Sequence, residues 1–184
     1  ALVGPGGHVV AFEPQPEVRG LLEKSVRENR FEDRVTVSPE AVSDRIGTSR
    51  LVCLDVVAAG NSGGSYLATR NDALPAGHAT VDVPTVTLDS VTFPGRVALV
   101  KIDAEGAEGL VVRGATRFLA EHRPALLVEV NPEALAREAA VTGEGLVAAL
   151  GELGYRAYEL DGAGLPVPLT TVTGERVVNV VFLH

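Results

Sequence analysis

The clearest pattern along the chain runs from Val97 to Gly114. Residues 97–103, Val-Ala-Leu-Val-Lys-Ile-Asp, form an apolar run broken only by Lys101 and stopped by Asp103. This is how a strand covered on both faces reads, and a central strand is expected. Beyond Asp103 the period changes, because Ala107, Leu110, Val111, Gly114 and Phe118 recur every three or four residues, which is one face of a helix. The run from Pro124 to Val130 is again apolar, with Glu129 near its end. Strand, helix and strand in that order make a βαβ unit, which requires parallel strands and a right-handed crossover.

The rest of the chain continues the alternation. His8 to Glu13 predicts a short strand ending on an acid. Pro16 suits the first helical position, where its missing N–H costs nothing, and Val18, Leu21, Leu22 and Val26 supply the apolar stripe. Val35 to Ser38 and Arg50 to Val57 predict strands. Val81 to Asp89 is extended, and Pro84, which has no backbone donor, places it at a sheet edge. Gly, Asn and Pro crowd the stretch from Ala58 to Ala79, which predicts a long functional or disordered loop. Thr142 suits the cap of a helix carrying Leu146, Val147, Leu150 and Leu153, stopped at Gly154. Tyr155 to Leu160 and Arg176 to Leu183 predict the last strands. Together these elements predict a doubly wound α/β fold and one domain over residues 1–184.

Composition narrows the classes. The formal charge of −8 over 184 residues, with no block of Lys and Arg, is a poor match to a nucleic-acid backbone and would tolerate a cationic ligand. No apolar run approaches the roughly 20 residues that span a bilayer, and no signal peptide is visible. A soluble, cytoplasmic protein is expected. Cys53 is the only cysteine and lies in an apolar run, so an inert core thiol is expected in place of a nucleophile.

The chemistry concentrates where the Val97 strand meets its helix. Asp103, Glu105 and Glu108 stand there around Gly106, and ligands of open α/β sheets bind outside the carboxyl ends of strands. Two readings stay open for each acid. Asp103 is a site residue or the N-cap of the following helix. Glu105 and Glu108 are site residues or first-turn acids that complement the helix dipole. Glu13 ends its own strand and is either a ribose ligand, since a carboxylate accepts from both hydroxyls, or an exposed acid beside a helix start. Glu129 borders an acceptor pocket or is a solvated strand end. His78 lies in the Gly-rich stretch, where it is a loop histidine or a group on the acceptor. No metal site is expected: no His, Cys and acid cluster has ligand spacing, and Asp103 with Glu105 is too few ligands for Mg²⁺.

The run Val100-Lys101-Ile102-Asp103-Ala104-Glu105-Gly106-Ala107-Glu108, followed by Val112-Arg113-Gly114-Ala115, resembles the signature of the FkbM family of S-adenosylmethionine-dependent methyltransferases. Gly6 to Pro14 resembles the family's second strand with its ribose-binding acid. Glu40-Ala41-Val42-Ser43-Asp44 resembles the segment that borders the adenine, and Val86-Thr87-Leu88-Asp89 resembles the Thr-Leu-Asp before the signature. The resemblance covers the chain from Gly4 to about Pro132.

It implies a Rossmann-like class I methyltransferase sheet with helices on both faces, binding S-adenosylmethionine through Glu13, Pro14, Ala41, Val42 and Asp103. Asp103 and Glu105 become the candidate catalytic carboxylates, and a small molecule or sugar hydroxyl the acceptor. Family members begin with a first strand and a Gly-rich turn, neither of which is found upstream of Glu13, so an N-terminally truncated domain is expected. The second and third family strands would then be separated from the fourth, with unpaired edges open to self-association. A non-catalytic domain serving binding or assembly is the second reading. A nicotinamide-binding domain would retain Glu13 but leaves the Asp-x-Glu-Gly-x-Glu run unexplained.

Overall fold

The computed structural model describes residues 3–4, 6–53, 64–68, 79–169, 172 and 176–184. Its first unit is the predicted strand, helix and strand. β1 (Val9–Phe12) pairs in parallel with β2 (Val35–Ser38), Val9 opposite Val35 and Phe12 opposite Ser38. Between them runs α1 (Pro16–Glu28), with Pro16 in its first turn. Although α1 carries the expected stripe, it buries no residue fully, and Leu21 is 58% exposed.

A second, four-stranded sheet follows, in the order β3 (Ala41–Val42), β6 (Ala79–Val86), β4 (Gly47–Cys53), β5 (Tyr66–Ala68). The segment expected at an edge because of Pro84 therefore lies inside. The reason is local: β3 reaches only Thr85 and Val86, while Pro84 pairs with Thr48 of β4, so the other side of β6 is an edge where the proline sits. Within the stretch expected to be one long loop, residues 66–68 form β5 and pair with β4. The rest of that stretch, including His78, lies outside the described residues.

The third sheet has five strands in the order β10 (Pro166–Pro168), β9 (Arg156–Leu160), β11 (Val178–Leu183), β8 (Ala125–Val130), β7 (Leu99–Ile102). β7 and β8 are parallel, as the βαβ reading requires, whereas β11 runs antiparallel to both β8 and β9. β7 is not central in this sheet but its outer strand, with Leu99 65% exposed. No described strand pairs with β7 on its free side, and among the described strands β1 pairs only with β2.

The helix after β7 divides at Gly114 into α2 (Glu108–Arg113) and α3 (Thr116–His122). Asp89 causes the break to be stable, since its carboxylate accepts from the N–H groups of Arg117 and Phe118, at 3.2 and 2.8 Å, at the start of α3. Gly114 is required by packing: a Cβ there would lie 2.1 Å from the Ser43 carbonyl oxygen. α4 (Pro132–Glu138), which the apolar pattern did not reveal, is capped by Asn131, and α5 (Gly143–Glu152) by Thr142 as expected.

Two apolar clusters hold these layers together. Phe118, Leu126, Val128, Leu135, Leu150 and Phe182 pack between the five-stranded sheet and its helices, while Ala41, Leu51, Leu67 and Val83 join Ala107 and Leu110 beneath the four-stranded sheet. Helix α2 feeds both clusters and buries Glu108 through Val112 without interruption. Burial and the Glu17 charge also push the thiol of half-buried Cys53 up, which favours its protonated form.

Candidate active site

The site residues converge because of one strand register. Ile102 of β7 lies opposite Val128 of β8, so the next residues, Asp103 and Glu129, emerge side by side at the carboxyl ends of two parallel strands. Glu105 joins them, and one carboxylate oxygen from each of the three lies within 4.8 Å of the others.

The turn that carries these acids has an unusual backbone. Glu105 has φ 51° and Gly106 φ 104°, both in the left-handed region that disfavours residues with a Cβ. At Gly106 a Cβ would also sit 2.5 Å from the Ala134 carbonyl oxygen, so only glycine allows α4 to approach. Glu108 holds the turn from below: its Oε1 accepts from the N–H groups of Ala104 at 2.8 Å and Gly106 at 3.2 Å. Glu108 is 1% exposed, and its Oε2 is buried without a partner among the described residues.

This arrangement bears on the helix-start readings left open by sequence. Asp103 is not a helix cap, because α2 begins at Glu108 and its N-cap position is Ala107, with no side-chain cap. It binds Lys101 Nζ at 2.7 Å instead. Glu105 lies in the turn before the helix and so is not a first-turn acid. Glu108 is in the first turn, but its carboxylate reaches back to the turn it clamps. Glu129 is half-buried and belongs to the acid cluster.

Crowding and burial act together on these groups. Burial pushes Glu105 up, and the charges of Asp103, Glu129 and Glu108 add to the rise against the opposing pull of Arg137. Glu129 is raised by burial, then by Asp103 and Glu108, against Lys101. Glu108 is raised by burial against the three backbone N–H contacts that favour its charge. Arg137, on α4, stacks over the Tyr66 ring at 4.9 Å and donates from Nε to Glu138 Oε1 at 2.6 Å. Sequence gave no hint of this pair, which brings β5 to the helix facing the acids.

The other candidate residues occupy separate elements. Glu13 extends the β1 ladder, its N–H donating to the Ser38 carbonyl at 3.0 Å. Its Oε1 accepts from Gln15 N–H at 2.9 Å, and burial pushes the carboxyl up. Arg19 Nη1 donates to the carbonyl oxygens of Glu13 and Pro14, each at 3.3 Å, fixing this strand end to α1. Gln15, 3% exposed, accepts from Ser65 Oγ at 2.6 Å and so ties the end of β1 to the four-stranded sheet. The Ala41 side chain is 4% exposed in the core, and Val42 packs against the main cluster, so these two can offer a ligand shape and backbone only. Beside them, Phe12, Ser38, Glu40 and Val86 help line a cavity of about 370 Å³. No hydrogen bond or ion pair among the described residues joins Glu13 to Asp103 or Glu105.

Residues 1–157 match the model of the methyltransferase FkbM domain. The fold is similar to the crystal structure of methyltransferase FkbM from Methylobacillus flagellatus KT, at 15% sequence identity and a TM-score of 0.57. That similarity covers 96% of this chain and 36% of the other, so this chain corresponds to about a third of that protein. No curated protein sequence matches significantly. The mixed α/β architecture agrees with the fold of that methyltransferase, and the chain belongs to the methyltransferase FkbM domain family.

Proposed function

We propose that this chain is an S-adenosylmethionine-dependent methyltransferase domain acting on a hydroxyl oxygen of a small molecule or sugar. The observation that carries the reading is the convergence of Asp103, Glu105 and Glu129 at the carboxyl ends of β7 and β8, beyond strands of a family whose members are methyltransferases. Glu13 fits the cofactor's ribose in its donor chemistry. One of its oxygens is taken by Gln15, and Oε2 has no hydrogen-bond partner among the described residues, which leaves an acceptor for a hydroxyl. Pro14, Ala41 and Val42 would border the nucleoside through shape and backbone.

When bound, the cofactor supplies an electrophilic methyl group on a sulfonium. The chain's own residues then align an acceptor oxygen for in-line attack and accept its proton. Asp103 and Glu105 take these parts: Asp103 is paired with Lys101, while Glu105, raised by burial and neighbouring acids, is more basic than a free carboxylate. Acidity across the site complements the cofactor's positive charge.

We read the free edges of β1 and β7 as flanking one further parallel strand, the first of a class I sheet, whose Gly-rich turn would complete the cofactor site. The same gap favours the second reading, a non-catalytic domain for binding or assembly. Calorimetric titration of S-adenosylhomocysteine into this chain and into an N-terminally extended form separates the two. Binding by the extended form that Glu13→Ala weakens supports the methyltransferase reading; no binding by either form favours the non-catalytic one. A reducing cytoplasmic setting accords with the single, protonated Cys53.

A further inference from the structure

His122 ends α3, and its side chain meets the segment that enters β7. Its Nδ1 accepts from the Val97 N–H at 3.1 Å, two residues before β7 begins, and its carbonyl oxygen accepts from Arg96 Nε at 3.2 Å. The imidazole stands edge-on to the Phe93 ring at 6.0 Å and tilted against Phe118 at 4.8 Å, while Phe93 and Phe118 lie 5.1 Å apart. These rings and polar contacts fix the loop of residues 91–97 to the end of α3. None of them belongs to the candidate active site.

The same loop is one wall of the cavity beside β1 and β2, where Val91, Thr92 and Pro94 line the space together with Phe12 and Ser38 of those strands. What holds the loop therefore sets the shape of that cavity.

The contact with Val97 has a protonation requirement. A neutral imidazole has one donor nitrogen and one acceptor nitrogen, so acceptance at Nδ1 places the ring proton on Nε2. In the charged ring both nitrogens donate, and an N–H on Nδ1 would then oppose the N–H of Val97. Val97 is half-buried, and its N–H has no other acceptor among the described residues, so breaking this bond leaves a backbone donor unsatisfied. The Arg96 contact is made to the main chain of His122 and does not require a neutral ring. The charged groups of the elements packed here are Arg96 on the loop, Asp89 on the turn before it, Arg117 and Glu121 on α3, and Arg123 just beyond it. Asp89 is committed to the N–H groups that start α3, and among the described residues none of these groups forms a hydrogen bond or ion pair with the imidazole.

We propose that His122 is a pH-sensitive latch, whose neutral ring pins residues 91–97 through Val97 and whose protonation releases the loop and loosens that wall of the cavity. The device lies in the bonding of one ring to one amide, so it does not rest on methyl transfer.

The test is NMR of the chain, without cofactor, from about pH 8 to about pH 5, the range in which histidines gain their charge. Ring nitrogen and carbon signals of His122 report its tautomer and protonation. Amide exchange, scaled to an unstructured peptide at each pH, reports the Val97 bond. An Nε2–H tautomer is expected at the upper end, with Val97 protection falling about tenfold in step with the ring's titration while the amides of β11 keep theirs. His122→Asn offers an acceptor oxygen in place of Nδ1 and cannot titrate, so its Val97 protection should stay flat with pH; if that variant melts early, the measurement on the parent decides alone. Val97 protection that stays constant while the ring titrates, a ring that does not titrate in this range, an equal fall across β11, or the same fall in a folded His122→Asn overturns the proposal.

Discussion

Gly106 and the three glutamates around it show how single residues set this site. With φ 104° and a hypothetical Cβ 2.5 Å from the Ala134 carbonyl, Gly106 cannot be replaced without moving α4 or the turn. Gly106→Ala should cost about 2 kcal/mol or more of unfolding free energy in urea titration; an unchanged midpoint would show that the turn yields freely. The acids make a separate prediction. Glu105, Glu108 and Glu129 are all raised above 4.5, so each binds its proton more tightly in the folded chain than in the unfolded one. Their contribution to stability is complete below about pH 4.5 and is lost as pH rises through the folded values. Glu129→Gln should therefore melt higher than the parent at about pH 7 and close to it at about pH 4. A variant that melts lower at neutral pH would mean that the charge on Glu129 is satisfied in the native state.

The break between α2 and α3 shows what an element's neighbours decide. Apolar spacing alone predicts one helix through Phe118, but Asp89, more than twenty residues upstream, caps a second start with two N–H contacts. Asp89→Ala should lower stability by about 1 kcal/mol, measured by chemical denaturation, because α3 loses its cap. Asp103 and Glu105 were legible in the sequence through their place at the end of an apolar run. Glu129 was legible as an acid at a strand end, but its partnership required the register that sets Ile102 beside Val128. Glu108 stayed open between a site residue and a dipole acid, and its clamping role was hidden because dipole and clamp place the same residue type in the same helical turn. The edge position of β7 was hidden for another reason: an apolar run records burial without recording which strands supply it.

At the scale of the molecule, stability should be uneven. The five-stranded sheet is closed over by α2, α3, α4 and α5, with Leu126, Val128, Val180 and Phe182 fully buried. The unit of β1, α1 and β2 has two strands, a helix with no fully buried residue and, among the described residues, free strand edges. Two-stranded units are marginal in water, and regions with few buried apolar contacts open at lower free energy than the core. In hydrogen exchange, amides of β1 and β2 should therefore exchange well before those of β8 and β11. The same free edges at β1 and β7 are templates for pairing with another chain, so sedimentation should show association that grows with protein concentration. If one added strand paired with both β1 and β7, both effects should disappear together, since one element would satisfy both edges and cover the exposed Leu99. Equal protection across all sheets in a monomeric chain would instead mean that β1 and β2 are held by side-chain packing, such as the Gln15 to Ser65 contact, strongly enough to dispense with strand pairing.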